Sequence, residues 1–236
     1  MALVAMMTLA AAPARAQAPA FSSVDATVLQ GIRQGLYPGA VVVIGRRDSI
    51  LYARGYGHFT WDQASSVPRP DSTLWDVASI SKVVATTAAT MRLVDAGRVK
   101  LDAPVQRYLP RFSGGEKNKV TVRMLLDHTS GLRSYAPFYR RARSRARFIS
   151  LLYAERLTRT PGDSAVYSDL NAMLLGLLVE RVSGMSLDKF VAREVFQPMG
   201  LAQTMYRPPM SLWDRVVPAG MWHGRPVPGN WTGPPK

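Results

Sequence analysis

Cysteine is absent from this 236-residue chain. That excludes disulfides, thiolate nucleophiles, zinc–thiolate sites and the lipid-bearing cysteine of a lipoprotein. Histidine is scarce, 3 in all, and the scatter of the three argues against a metal centre. Acidic side chains are outnumbered, 16 Asp and Glu against 30 Lys and Arg, for a formal charge of +14. After the first residues no segment is long and apolar enough to cross a bilayer. No internal repeat or low-complexity tract is present. What remains is 47% hydrophobic and 19% charged, an ordinary globular composition with material for a substantial core. Any catalysis must therefore draw on Ser, Lys, Tyr, Asp or Glu.

Residues 1–18 are apolar and alanine-rich and offer small-x-small cleavage sites at Ala14-Arg15-Ala16 and Ala16-Gln17-Ala18. They read as a secretory signal peptide, although no basic residue precedes the apolar run. A secreted or periplasmic location follows, with no stable membrane anchor. Much of the positive excess sits at Arg140, Arg141, Arg143, Arg145 and Arg147. Such a cluster can bind an anionic surface. The aromatics do not interleave with it as a nucleic-acid stacking platform requires, so a solvated helix face is the preferred reading and no nucleic-acid partner is expected.

Val24, Val28, Leu29, Ile32 and Leu36 recur at helical spacing before Pro38-Gly39. Ala40–Ile44 and Ile50–Tyr56 are β-rich runs joined across residues 45–49, a hairpin signal. Helical patterning returns from Ser79 to Val94 with Gly97 as terminator, at Val120–Leu126, and at Asp169–Val182 closed by Gly184. Residues 210–236, rich in Trp, Pro and Gly, show no periodicity and are expected to be irregular. The expected organisation is a signal peptide at 1–18, one domain over 20–209 and an irregular segment at 210–236.

The chemistry concentrates at Ser79-Ile80-Ser81-Lys82. Residues three apart on a helix share a face, so the Ser79 hydroxyl and the Lys82 amine can meet. A serine needs an adjacent base, and a partly desolvated lysine can serve. A lone Ser-x-x-Lys is common by chance, and Ser186-Leu187-Asp188-Lys189 is a second match; there Ser186 reads as an N-cap. The first match has company in Tyr167-Ser168-Asp169, which opens a helix downstream.

Taken together, Ala78–Lys82, Leu101-Asp102-Ala103-Pro104-Val105, Tyr108-Leu109-Pro110, Leu125–Leu132, Tyr167-Ser168-Asp169, Leu174-Leu175-Gly176 and Pro198-Met199-Gly200-Leu201 resemble the serine β-lactamase and penicillin-binding-protein superfamily. Class C β-lactamases and the related esterases and D-aminopeptidases are the members most similar. The resemblance runs over roughly residues 36–207. It implies an α/β (α+β) fold in which a helical block packs on an antiparallel sheet. It also implies a serine hydrolase that cleaves an amide or ester, whether β-lactam, D-amino peptide or carboxylic ester, without a cofactor. The substrate would be a small molecule or a peptidoglycan-derived one.

By the same resemblance Ser79 is the acylated nucleophile, Lys82 its activator and Tyr167 a phenolate or proton relay. The Ser79 N–H would be one oxyanion donor. Asp169 stands where the family usually has an asparagine that contacts substrate. It can pair with Lys82 or cap the following helix, the latter slightly preferred, and Asn171 is the candidate to supply the missing amide. His128 reads as structural. No Lys-x-Gly or His-x-Gly follows Tyr167, and the strands the family carries near its C-terminus have no counterpart in the sequence. A chain lacking its C-terminal part is the expectation, with a complete protein bearing a shorter sheet as the alternative. A catalytically inactive homologue, or a module that binds peptidoglycan or another anionic surface, is the competing functional reading.

Overall fold

The computed structural model of the chain describes residues 21–222 and 225–227. The signal peptide expected over 1–18 lies outside them. The described residues fall into two compact units, one reaching Asp76 and resuming at Met210, the other spanning Val77–Pro209.

In the first unit, helix α1 (Ser22–Arg33) is followed by an antiparallel hairpin of β1 (Gly39–Arg46) and β2 (Ser49–Gly57). The ladder runs from Gly39 opposite Gly57 to Arg46 opposite Ser49, so the connection is shorter than the five residues expected. A register shift at Ile44/Gly45 makes this possible, and Arg47 takes a left-handed φ of 54° in the two-residue turn. Tyr52, Arg54 and Tyr56 share one face of β2, as the period of two requires. Asp25 on α1 accepts from the Tyr52 hydroxyl at 2.6 Å, the Tyr56 hydroxyl at 2.9 Å and Arg54 Nη1 at 2.6 Å. One carboxylate thus ties helix to hairpin.

The irregular reading of the C-terminal segment needs correcting. A 3₁₀ helix covers Met210–Arg215, and Val216 bridges Leu74 in parallel, with Leu74 N–H donating to Arg215 O at 2.8 Å and Val217 N–H to Leu74 O at 2.9 Å. Strands β3 (Gly220–Trp222) and β4 (Arg225–Val227) then pair antiparallel. Three-residue strands are too short to show an alternating pattern, so the sequence carried no signal for them.

The second unit is helical. A π-helical turn at Lys82–Thr87 runs into α2 (Ala88–Asp95); then come α3 (Val122–Leu126), α4 (Arg145–Ala154), α5 (Asp169–Ser183) and α6 (Leu187–Val191), which continues as a second π turn at Ala192–Phe196. Thr121 caps α3 by accepting from Met124 N–H at 3.3 Å, and Ser144 caps α4 by accepting from Arg147 N–H at 3.2 Å. Arg140, Arg141 and Arg143 precede α4, and all five arginines of the cluster are exposed. Leu170, Leu174 and Leu178 of α5 are fully buried with Leu93, Phe112, Leu125 and Leu152 around them. This 15-residue helix is the centre of the core, and its first residue carries the chain into the site. Among the described residues no single helix is long and apolar enough to cross a membrane.

Candidate active site

Ala78 holds a left-handed φ of 44°, unusual for a residue with a Cβ, and turns the chain sharply before Ser79. Lys82 N–H donates to Ser79 O at 3.0 Å, closing one tight turn between them. Lys82 Nζ consequently reaches Ser79 Oγ at 2.8 Å. The wide π turn that starts at Lys82 departs from regular helix where the lysine leaves the backbone, and such bulges often accompany functional positions.

Tyr167 and Asp169 approach from the start of α5. Asp169 Oδ1 lies 2.9 Å from Lys82 Nζ, and Nζ stands 5.1 Å from the centre of the Tyr167 ring. An ammonium has three protons, and two acceptors lie within hydrogen-bond distance of it, Ser79 Oγ and Asp169 Oδ1, beside the Tyr167 ring. Because the ammonium can only donate, it leaves the Ser79 hydroxyl proton free for another acceptor.

Burial pulls the Lys82 ammonium toward neutrality, but its interactions with Tyr167 and Asp169 outweigh it and leave its pKa above the ordinary 10.5. The hydrogen bonds from Lys82 and then Ser79 bring the Tyr167 phenol below its ordinary 10.0. The partial desolvation of Lys82 read from sequence is present, and the neighbouring acceptors outweigh it. The lysine is the cation of the cluster, and the phenol is the group pushed toward its anion.

Asp169 pairs with Lys82, against the preference for capping. The N-cap of α5 is Ser168, whose hydroxyl instead donates to Arg133 O at 2.7 Å, while Asp169 N–H donates to Ser134 O at 2.8 Å. Asn171 is not brought to the cluster. It is fully buried, its Oδ1 accepts from Ser130 Oγ at 2.6 Å and its Nδ2 faces His128 Nδ1 at 3.1 Å. Both ends of the amide are engaged inside the protein, so it cannot take over the substrate contact. Ser186 sits at the N-cap of α6, away from the cluster's residues in sequence, as its reading as a cap expected.

His128, read from sequence as structural, faces Tyr167. It lies in Asp127–Leu132, where Asp127 Oδ1 accepts from Thr129 N–H at 3.0 Å and from the Thr129 hydroxyl at 2.6 Å, a local turn that sets the loop. The His128 ring packs on Tyr167 with centroids 4.9 Å apart. Gly131, at φ 81°, lets the loop pass directly beneath Arg159, where a Cβ would run into the Arg159 carbonyl.

The family model for beta-lactamase matches residues 24–235. The chain belongs to the beta-lactamase family. Within it, an N-acetylmuramyl-L-alanine amidase of Bacillus subtilis (strain 168) is 33% identical over 203 residues, 78% of this chain and 46% of that protein. Among solved structures, EstCE1, a hydrolase with promiscuous acyltransferase activity, superposes with a TM-score of 0.72 at 28% identity, over 84% of this chain and 55% of its own. A class C beta-lactamase reaches a TM-score of 0.78 at 22% identity, over 91% and 58% respectively, which bears on the fold. Mixed helix and sheet with these neighbours is the β-lactamase/transpeptidase-like fold. The chain spans about half the length of the relatives it matches. Relatives named amidase, hydrolase and β-lactamase place the family's chemistry among serine hydrolases of the β-lactamase, peptidase and esterase type.

Proposed function

We propose that this protein is an extracytoplasmic serine hydrolase that opens an amide or ester bond through an acyl-enzyme on Ser79. The reading is carried by the Lys82 ammonium, which holds Ser79 Oγ at 2.8 Å and Asp169 Oδ1 at 2.9 Å beside the Tyr167 ring. Ser79 Oγ attacks the carbonyl carbon and gives its proton to Tyr167, which the adjacent cation favours as phenolate. The Ser79 N–H donates to the oxygen that gains charge. Collapse expels the amine or alcohol, which takes the proton back from Tyr167. Water, deprotonated by the same phenolate, then releases the acid and restores Ser79. Asp169 supports this by holding Lys82 charged rather than by touching substrate.

The amidase relative favours a peptidoglycan-derived amide as substrate, and EstCE1 favours a simple ester; a β-lactam shares the same nucleophile. Asp169, standing where the resemblance expects an asparagine, motivates a second reading, a site that binds or acylates without turnover. A fluorophosphonate followed by mass spectrometry, together with hydrolysis of an activated ester, separates the two. Label on the Ser79 peptide that vanishes in Ser79→Ala, with ester turnover, is the expected result. Label without turnover selects the second reading. Label that survives Ser79→Ala overturns the nucleophile.

A further inference from the structure

We infer that His128 is the positioning residue of Tyr167, and that it does this work only as the neutral imidazole protonated on Nε2. Its backbone carbonyl accepts from Val166 N–H at 2.9 Å, and its ring Nδ1 accepts from Ser168 N–H at 3.2 Å. These are the two residues that flank Tyr167, so one histidine holds the chain on both sides of the tyrosine. The imidazole then packs against the phenol ring itself, 4.9 Å between centroids and tilted by 47°. The left-handed backbone of His128, φ 63°, is what lets carbonyl and ring face the same strand of chain.

The tautomer follows from donors alone. The Ser168 N–H has no lone pair and can only donate. The Ser130 hydroxyl occupies Asn171 Oδ1 at 2.6 Å, which turns the Asn171 NH₂ toward His128 Nδ1 at 3.1 Å. Two donors converge on Nδ1, so that nitrogen bears no proton and Nε2 carries it. Ser130, Ser168 and Asn171 are all fully buried, leaving no water to substitute for a lost bond.

Protonation of Nδ1 would set an N–H against two other N–H groups and break the grip on Ser168. The charges around the ring are Lys82 from the π turn, Asp169 at the start of α5 and Asp127 in its own loop. Burial first, and the Lys82 cation second, hold His128 below its ordinary 6.5, with the two carboxylates opposing. The clamp is thus closed at neutral pH and opens on acidification.

This inference rests on Tyr167 being the proton acceptor, so its test reads the tyrosine and the histidine directly, whatever the activity. Histidine ¹⁵N spectra should show Nδ1 unprotonated in the whole chain at neutral pH, and ring-labelled tyrosine should show the Tyr167 phenol titrating below the ordinary range. In His128→Ala that titration should return toward the ordinary value, and fluorophosphonate labelling of Ser79 should slow by about a hundredfold or more, as loss of a positioned base implies. His128→Asn, which keeps an acceptor in the place of Nδ1, tolerates left-handed backbone and does not titrate, should stay within about tenfold of the parent, keep the limb set by Tyr167 and lose the further decline below the ordinary histidine range. A protonated Nδ1 in the parent overturns the proposal, as does an unchanged Tyr167 titration in folded His128→Ala. If the parent takes no label, the hydrolase reading fails and the two titrations still decide this one.

Discussion

Lys82 Nζ lies 2.9 Å from Asp169 Oδ1, and this pair sets the charge state of the cluster around Ser79. Both side chains are partly exposed, so the pair adds little to stability. Its effect is on protonation. The carboxylate keeps the lysine charged, and the charged lysine favours the phenolate of Tyr167.

Substituting Asp169→Asn should move the pH dependence of Ser79 acylation without abolishing it. Lys82 loses a partner that raises its pKa, and Tyr167 loses an anion that raises its own, so both values fall. Acylation rises as the tyrosine ionises and falls as the lysine deprotonates, so both limbs shift to lower pH. Labelling rates between about pH 6 and pH 11, a span covering ordinary histidine, tyrosine and lysine, read this. Lys82→Arg keeps the charge but replaces a rotatable ammonium with a planar fork, and should reduce acylation about a hundredfold. Limbs that stay in place in Asp169→Asn would uncouple the carboxylate from the chemistry.

Gly131→Ala should destabilise the protein more than Gly97→Ala. Both glycines are left-handed, at φ 81° and 67°, so each substitution costs about 1–2 kcal/mol from conformation alone. At Gly97 a Cβ meets open space, whereas at Gly131 it meets the Arg159 carbonyl. Urea midpoints at unchanged m-value compare the two. Equal losses would mean that the segment around Arg159 yields freely.

Acid should loosen the first unit through Asp25. The hydrogen bond from Tyr52 is the leading cause of its lowered pKa, with Tyr56 and Arg54 adding to it and burial opposing. A carboxylate with a depressed folded-state value contributes stability above its ordinary 3.8 and loses it as pH falls through the lowered value. Asp25→Asn should therefore be less stable than the parent at neutral pH, and the gap should close below about pH 3. A gap that persists there would assign the loss to packing.

Export should remove residues up to Ala16 or Ala18, and N-terminal sequencing of protein from the cell envelope shows the new terminus. Cytoplasmic protein still beginning at Met1 would refute the signal peptide.

The helices were legible because their signals are local. Leu170, Leu174 and Leu178 repeat at helical spacing, and Gly184, left-handed at φ 74°, ends the run. The hairpin was legible too, but not its length, because the register shift at Gly45 depends on how two strands meet. Strands β3 and β4 were invisible, three residues each being too few for a pattern.

At the site, the spacing of Ser79 and Lys82 determined their meeting, since a single turn of chain links them. Sequence left open what Asp169 and Asn171 do, and it read His128 as structural without saying what it holds. Those choices belong to tertiary structure. The contacts of His128 with Ser168 and Asn171 span 40 and 43 residues, and no periodicity connects positions so far apart. Folding buried Asn171 beside Ser130 and His128, where an amide must satisfy both of its ends, and left Asp169 one residue into the helix, where the nearest cation was Lys82. Residue types and short spacings determined which groups were present; packing, through the need to pair every buried donor and acceptor, decided which of them face one another.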